Sequence, residues 1–245
     1  MDNIPDSTPD TPAQPPFAAR FAHFMTRTST QYAHAPLSTL SDRGIENRLL
    51  NNLVEFLPGG AIIAGGFLTS VITEEDKSKD IDMFFLSEAA FRDTIAFLTK
   101  GDAFHKENGS WAYAGYTIKG GKMPDLDKLG DLRFLVFEHP SRPALQLLRM
   151  VWYDSAEHVI DTFDLTLCQF AVTQTGITYN PMAWIDLSRK RIVMHRCQFP
   201  ASTLRRIIKY AHKGFYACPG SLAKICEEIQ KFQGAMDANA VVYVD

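Results

Sequence analysis

Several absences narrow the class of this protein. Its 245 residues include four cysteines, Cys168, Cys197, Cys218 and Cys226, and no two form a CxxC pair. That argues against a disulfide framework and fits a reducing, cytoplasmic setting. His195 with Cys197, Cys218 and Cys226 lacks the spacing of a known zinc finger, so small buried thiols are the plainer reading. No apolar run approaches the roughly 18 residues needed to cross a bilayer, so no membrane partner is expected. The start, MDNIPDSTPD, carries acids and prolines where a signal peptide has a basic start and an apolar core. Net charge is only −3, so any attraction for phosphate must come from local patches. Gly60 and Gly65 have P-loop spacing, but Gly66-Phe67 stands where Lys-Ser/Thr belongs, and no GxGxxG follows a strand. No internal repeat is present.

What remains is an ordinary globular composition, 46% hydrophobic and 22% charged. Residues 1–16 hold Pro5, Pro9, Pro12, Pro15 and Pro16 among Asp, Ser and Thr, too little apolar matter to offset ordering entropy. They read as a disordered or extended arm. Residues 17–180 read as the main domain and 181–245 as a mainly helical C-terminal subdomain. Within the main domain, helices are expected from Phe17 to about Ala33 and along Ile45, Leu49, Leu50, Leu53, Val54 and Leu57, stopped by Pro58-Gly59-Gly60. A short strand, Ala61–Ala64, leads through Gly65-Gly66 into a helix from Phe67 to Ile72. Strands follow at 80–86, 111–118, 133–137, 145–152 and 163–172, with a helix behind Ser87 and another near 155–161. In the C-terminal part, Leu204, Ile207, Ile208 and Ala211 form one apolar stripe, and Leu222, Ile225, Ile229 and Phe232 another. The order implies an α/β (α+β) mixed sheet flanked by helices.

Asp80 and Asp82 carry the chemistry. Side chains alternate along a strand, so both carboxylates share one face, with Cα atoms about 7 Å apart, while Ile81, Met83 and Phe85 take the other. Two such acids repel unless a cation sits between them, and Mg²⁺ prefers hard oxygen ligands. A solvated acid pair at a strand end is the alternative. Gly65-Gly66, at a strand-to-helix turn, exposes backbone N–H groups suited to phosphate, although glycine also serves such turns by conformation alone. Asp164 follows Phe163 at the head of a further apolar run, FDLTLCQFAV, in which Asp164, Thr166 and Cys168 share one face. Between Leu187 and Gly220 there are eight Lys or Arg and no Asp or Glu. Arg205, Arg206 and Lys209 fall off the apolar stripe, free for phosphate or simply solvated. Lys77 and Lys79 precede the acid pair and are read as loop lysines or triphosphate contacts. His195 and His212 read as surface or core histidines.

A strand, Gly-Gly, a helix, a gap of 13 residues and then Asp-h-Asp (h apolar) resembles the signature of the DNA polymerase beta-like nucleotidyltransferase superfamily. The match runs residue by residue over Gly65, Gly66, Asp80 and Asp82, and the resemblance covers about 57–172. It implies a nucleotidyltransferase-type sheet and transfer of a nucleoside monophosphate from an NTP, such as ATP, with release of pyrophosphate. Two Mg²⁺ ions, replaceable by Mn²⁺, are implied on Asp80, Asp82 and a third acid on a later, adjacent strand, for which Asp164 is the candidate and Asp161 the runner-up. Gly66 replaces the Ser often found at the second glycine position; Thr69 or Ser70 would then supply a hydroxyl. Lys79, Arg205 and Lys209 are further expected nucleotide contacts. The acceptor stays open: a nucleic acid end reached through the basic 187–220 segment, a tRNA, a protein or a small molecule. So does the alternative, a catalytically inactive nucleotidyltransferase-like binding or structural module. The oligomeric state is not legible.

Overall fold

A computed structural model describes residues 28, 30–74, 78–126 and 132–231. The expected N-terminal arm, most of the expected first helix, Lys77 and Phe232 lie outside the described residues. The fold is built around an eight-stranded mixed sheet: β1 (Ala33–Ala35), β2 (Ala61–Ala64), β3 (Asp80–Phe85), β4 (Thr117–Ile118), β5 (Phe134–Glu138), β6 (Ala144–Leu148), β7 (Phe170–Thr173) and β8 (Gly176–Tyr179). Their spatial order is β1-β8-β7-β2-β3-β6-β5-β4. β3 and β6 run parallel, and the other pairs in this sheet are antiparallel.

The helices begin where the sequence supplies caps. α1 is Ser38–Asp42 and α2 is Arg48–Glu55, where the Asn47 side chain accepts from Leu50 N–H at 2.9 Å. α3 is Gly66–Ile72. α4, Glu88–Leu98, is capped by Ser87, and α5 spans Asp102–Glu107. α6, Ala156–Asp161, is capped by Ser155. α7, Pro181–Ser188, starts on a proline behind Asn180, a position where the missing N–H costs nothing. α8 (Pro200–His212) and α9 (Pro219–Lys231) end the described chain. β9 (Arg191–Ile192), ahead of α8, and β10 (Tyr216–Ala217), between α8 and α9, form a small parallel pair.

Alternation along the strands divides the interior. Ile63, Ile81, Met83, Phe85, Leu145 and Leu147 enter the larger core, which continues through Ile207, Tyr210 and Ile225 of the C-terminal helices. Ile62, Ala64, Phe84, Leu148 and Ala171 face the other side, under Val159 and Ile160 of α6. Asp80 and Asp82 belong to that second face, beyond the helix, and both are half-buried.

Several boundaries differ from the sequence reading. Residues 30–33 are not helical; Ala33 opens β1 and pairs with Tyr179. Residues 111–118 form a 3₁₀ turn, Trp111–Tyr113, and the two-residue β4. β6 stops at Leu148, short of Trp152. On α8 the buried line is Thr203, Ile207 and Tyr210, with Ile208 and Ala211 exposed. The stripe is rotated because Tyr210 is drawn inward by the Cys168 thiol, 3.1 Å from its hydroxyl. Leu222 on α9 is exposed as well.

Candidate active site at the Gly65–Gly66 turn

β2 and β3 pair with Ala64 opposite Asp82, so the turn after β2 arrives beside the acid pair. Gly65 adopts φ +89° and ψ −145°, a conformation open in practice to glycine alone. Its N–H donates to the Phe170 carbonyl at 3.3 Å, tying the turn to β7. A Cβ at Gly65 would lie 3.7 Å from Asp82 Oδ2 and 3.7 Å from the Phe163 ring. A Cβ at Gly66 would lie 3.7 Å from the Tyr210 hydroxyl. The turn is therefore flanked by Asp82 on one side and by α8 on the other.

Asp164 reaches the same neighbourhood from a different kind of backbone. The expected strand 163–172 is instead a bend at Asp164, a bridge from Leu165 to Met194, a 3₁₀ turn at Thr166–Cys168, and only then β7. Asp164 is thus not on a strand adjacent to β3; the strands that flank β3 are β2 and β6. The Asp164 carbonyl accepts from the N–H of His195 (2.7 Å) and Arg196 (3.3 Å). Its carboxylate accepts from Arg206 Nη1 at 2.7 Å, with the two side chains 12% and 33% exposed. Arg206 and Tyr210 are one helical turn apart on α8, so one face of that helix meets both Asp164 and Gly66.

The Asp161 carboxylate is engaged on several sides by its surroundings. It is 1% exposed and accepts from Thr28 N–H (2.7 Å), the Thr28 hydroxyl, Tyr32 Oη (2.5 Å) and Arg196 Nη2 (2.6 Å), with His195 Nε2 at 3.3 Å. Burial pushes its pKa up, but those hydrogen bonds and the Arg196 charge outweigh burial and hold it below the ordinary carboxylate value. Burial also lowers the His195 pKa, against the pull of Asp161. This is a saturated structural anchor.

The other expected contacts divide. Thr69 and Ser70 are buried one turn into α3, and the Thr69 hydroxyl donates to the Leu167 carbonyl at 3.0 Å. Lys79 is exposed and lines a cleft with Thr117, Glu138, His139, Arg142 and Ala144, beside Asp80. Arg205 and Lys209 lie on the exposed side of α8, and Arg206, between them, donates to the Asp164 carboxylate. The 187–220 segment has counter-charges after all: Arg191 pairs with Asp186, Arg196 with Asp161 and Arg206 with Asp164. Each partner lies outside the segment in sequence, which hid it. Among the described residues no group of three or more His, Cys, Asp or Glu could hold a metal ion. Asp80 and Asp82 do fit a hard cation: two carboxylates on one sheet face, two residues apart. Beside them on β6, in parallel register, stand Ala144 next to Asp80 and Gln146 next to Asp82. Sequence reasoning passed over Gln146; the alternation of ALQLL, Leu145 and Leu147 inward and Gln146 outward, was its only signal.

The fold resembles that of nucleotidyltransferases. The Thermotoga maritima CCA-adding enzyme complexed with tRNA matches with a TM-score of 0.52 at 12% identity, covering 83% of this chain and 47% of that one. A CCA-adding enzyme in complex with CTP gives 0.51 at 11% identity, with coverage of 83% and 46%. An apo CCA-adding enzyme gives 0.54 at 13%, with 83% and 49%. The chain spans about half the length of these proteins, and at such identities the likeness is one of fold. A search of curated protein sequences found no match. No helix among the described residues is long and apolar enough to cross a membrane. The profile of the Gabija anti-defense 2 family, Gad2, matches residues 37–190, a stretch that includes the glycine turn, both strand acids and Asp164, and the chain belongs to that family.

Proposed function

We propose that this protein is a metal-dependent nucleotidyltransferase that moves a nucleoside monophosphate from an NTP to an acceptor hydroxyl. The observation that carries this reading is the placement of Asp80 and Asp82 on one face of β3 against the Gly65 turn, within a nucleotidyltransferase fold. Asp80 and Asp82 would hold the cation, Mg²⁺ or Mn²⁺, which neutralises triphosphate charge and polarises the acceptor when bound. The turn at Gly65-Gly66 approaches without side chains, so phosphate oxygens can come close to backbone N–H groups. Arg206 would meet the developing negative charge from α8, as a planar fork suited to phosphate. In the reaction the acceptor oxygen bonds to the α-phosphorus, the bond to the β-phosphate oxygen breaks, and pyrophosphate leaves with the charge. The acceptor proton passes to a carboxylate of the site or to water. The family's name supplies the first acceptors to test, the components of the Gabija defence; CCA-adding relatives make tRNA the second.

A second reading is a nucleotidyltransferase-like binding module. It is favoured by the engagement of Asp164 with Arg206, which leaves two acids rather than three at the sheet. Labelling with each α-³²P NTP and Mg²⁺ or Mn²⁺, in extract from cells with and without the defence system, separates the readings. The transferase predicts a labelled protein, RNA or small molecule, and at least a hundredfold loss, about 2.7 kcal/mol of barrier, in Asp80→Asn/Asp82→Asn. A double variant that retains the biological activity in full, with no label from the native chain, would sink the transferase.

A further inference from the structure

The resemblance implies a third carboxylate on a strand adjacent to the acid pair, and the fold places something else there. β6 is the parallel neighbour of β3, and the register sets Asp82 beside Gln146 and Asp80 beside Ala144. Parallel neighbours at the same level point to the same face, with the strands about 4.8 Å apart. The core confirms the facing. Leu145 and Leu147 pack with Ile81 and Met83 in the larger core, while Leu148 packs with Phe84 on the other side. Gln146 therefore shares the face of Asp80 and Asp82. Of the β6 residues on that face, Ala144, Gln146 and Leu148, only Gln146 carries an oxygen donor, and it is half-buried there. Next to it on β5 stands Val136, which offers no ligand.

We propose that Gln146 occupies the place of the third carboxylate as a neutral oxygen ligand, so that the resting protein takes one divalent cation and not two. The proposal rests on the reading that Asp80 and Asp82 hold a cation. An amide oxygen can ligate a hard cation as a carboxylate does, but it adds no charge and cannot accept a proton from the acceptor at neutral pH. With an amide in place of the third carboxylate, the site holds one negative charge fewer than the arrangement the resemblance implies, and so attracts a second divalent ion less strongly. A second ion then has to arrive with the triphosphate, whose oxygens supply the missing charge. Asp164 does not stand at this place: it lies in the irregular segment before β7 and not on a strand that flanks β3, and its carboxylate accepts from Arg206 at 2.7 Å. The consequence is a site whose full cation complement depends on bound nucleotide.

The test is Mn²⁺ titration of the full chain without nucleotide, followed by the loss of free-Mn²⁺ EPR signal, with circular dichroism as a check on folding. The variants are Gln146→Glu, Gln146→Ala and, as control, Asp80→Asn/Asp82→Asn. The native chain is expected to bind one Mn²⁺, and the control none. Gln146→Ala should bind more weakly by about tenfold, the scale on which even second-layer partners move metal affinity. Gln146→Glu should bind at least about tenfold more tightly and take up a second ion. If both Gln146 variants match the native chain while the control loses the ion, Gln146 is not a ligand and the acid-pair reading stands. Two ions on the native chain without nucleotide would also overturn the proposal. If the native chain takes no Mn²⁺ with or without a non-hydrolysable NTP, the proposal and the reading beneath it fall together.

Discussion

Two segments of this chain look alike in sequence and behave differently in the fold. Asp80–Phe85 and Phe163–Thr173 each offer an acid followed by apolar and aromatic residues. The first is a regular strand, paired to β2 on one side and β6 on the other. The second breaks into a bend, a bridge and a 3₁₀ turn before it becomes β7. The difference lies in where the backbone groups find partners. Around Asp164 they turn to the C-terminal unit: Thr166 N–H donates to the Val193 carbonyl at 3.0 Å, and the Asp164 carbonyl accepts from His195 and Arg196. An acid on a doubly paired strand keeps a fixed direction toward the sheet face. An acid in the irregular segment is aimed by whatever packs against it, here Arg206 on α8. The strand acids are thus aimed by the ladder, and the acid of the irregular segment by its arginine.

The largest expected effect breaks the irregular side of that comparison at its anchor. Asp161→Asn keeps the shape but removes the carboxylate charge that faces Arg196 and His195 in a site that is nearly closed to water. Breaking a buried pair in this way costs about 3–5 kcal/mol, read as a shift in urea midpoint. The pH dependence has a definite sign. The folded pKa of Asp161 lies below its unfolded value, so its contribution is present above the unfolded carboxyl range and is lost as pH falls through the folded pKa. His195 is also held below its ordinary value by burial, so protonating it as pH falls below about 6.5 costs further stability. Both act in the same direction, and native stability should decline on the acid side. In Asp161→Asn the carboxylate part of that decline, below about pH 4, should vanish. A variant as stable as the native chain, with an unchanged acid limb, would show that Asp161 is no anchor.

A smaller effect probes the strand side. Gly65→Ala adds a Cβ at 3.7 Å from Asp82 Oδ2 and the Phe163 ring, which is ordinary contact, so the cost lies in the backbone. Holding alanine at φ +89° should destabilise by about 1–3 kcal/mol, and any relaxation of the turn moves it relative to Asp82. Thermal melting and NTP affinity, measured together, should both fall. Loss of stability with unchanged NTP affinity would make the turn purely structural. Gly66→Ala is the companion: Gly66 is not held at positive φ, and its Cβ would meet only the Tyr210 hydroxyl at 3.7 Å, so stability should change little.

How much of this was legible follows the same division. β2, α3, β3 and α4 were readable because local signals agree: alternation in DIDMFF, glycines at the turn, Ser87 as a cap whose side chain accepts from Ala90 N–H at 3.1 Å. The nucleotidyltransferase fold was readable from those same residues. Residues 163–172 were misread as one strand because FDLTLCQFAV has the composition of a strand, and nothing local announces that Thr166–Cys168 turns toward Val193 and Met194. The α8 stripe was displaced for a related reason: an amphipathic count prefers Ile208 to Tyr210, and only the tertiary contact with Cys168 selects tyrosine for the inside. Burial then raises the Cys168 thiol to a pKa of about 11 and carries the Tyr210 hydroxyl well above its usual value, so the pair is neutral packing beside the turn. The basic 187–220 segment looked uncompensated because its acidic partners, Asp161, Asp164 and Asp186, all precede it in sequence.

The smallest expected effect on stability decides to which side Asp164 belongs. The Asp164–Arg206 pair differs from Asp161–Arg196 in exposure: Arg206 is a third exposed, whereas Arg196 is 11% exposed. Solvent screens such a pair, so Arg206→Gln should cost less than about 1 kcal/mol of stability. Its influence on ligands is the sharper readout, because one guanidinium cannot neutralise Asp164 and grip a triphosphate with full strength at once. If Arg206 exchanges Asp164 for phosphate, Arg206→Gln should weaken NTP binding, and Asp164→Asn, which removes the competing carboxylate charge, should strengthen it. If the pair is structural only, both variants should leave NTP affinity alone and lower stability by similar small amounts. Isothermal titration with a non-hydrolysable NTP, beside thermal melts of both variants, distinguishes the cases. Opposite shifts in affinity would assign Asp164 to the site with Asp80 and Asp82. Equal losses of stability with no change in affinity would assign it to the scaffold with Asp161, three residues away and one helix end earlier.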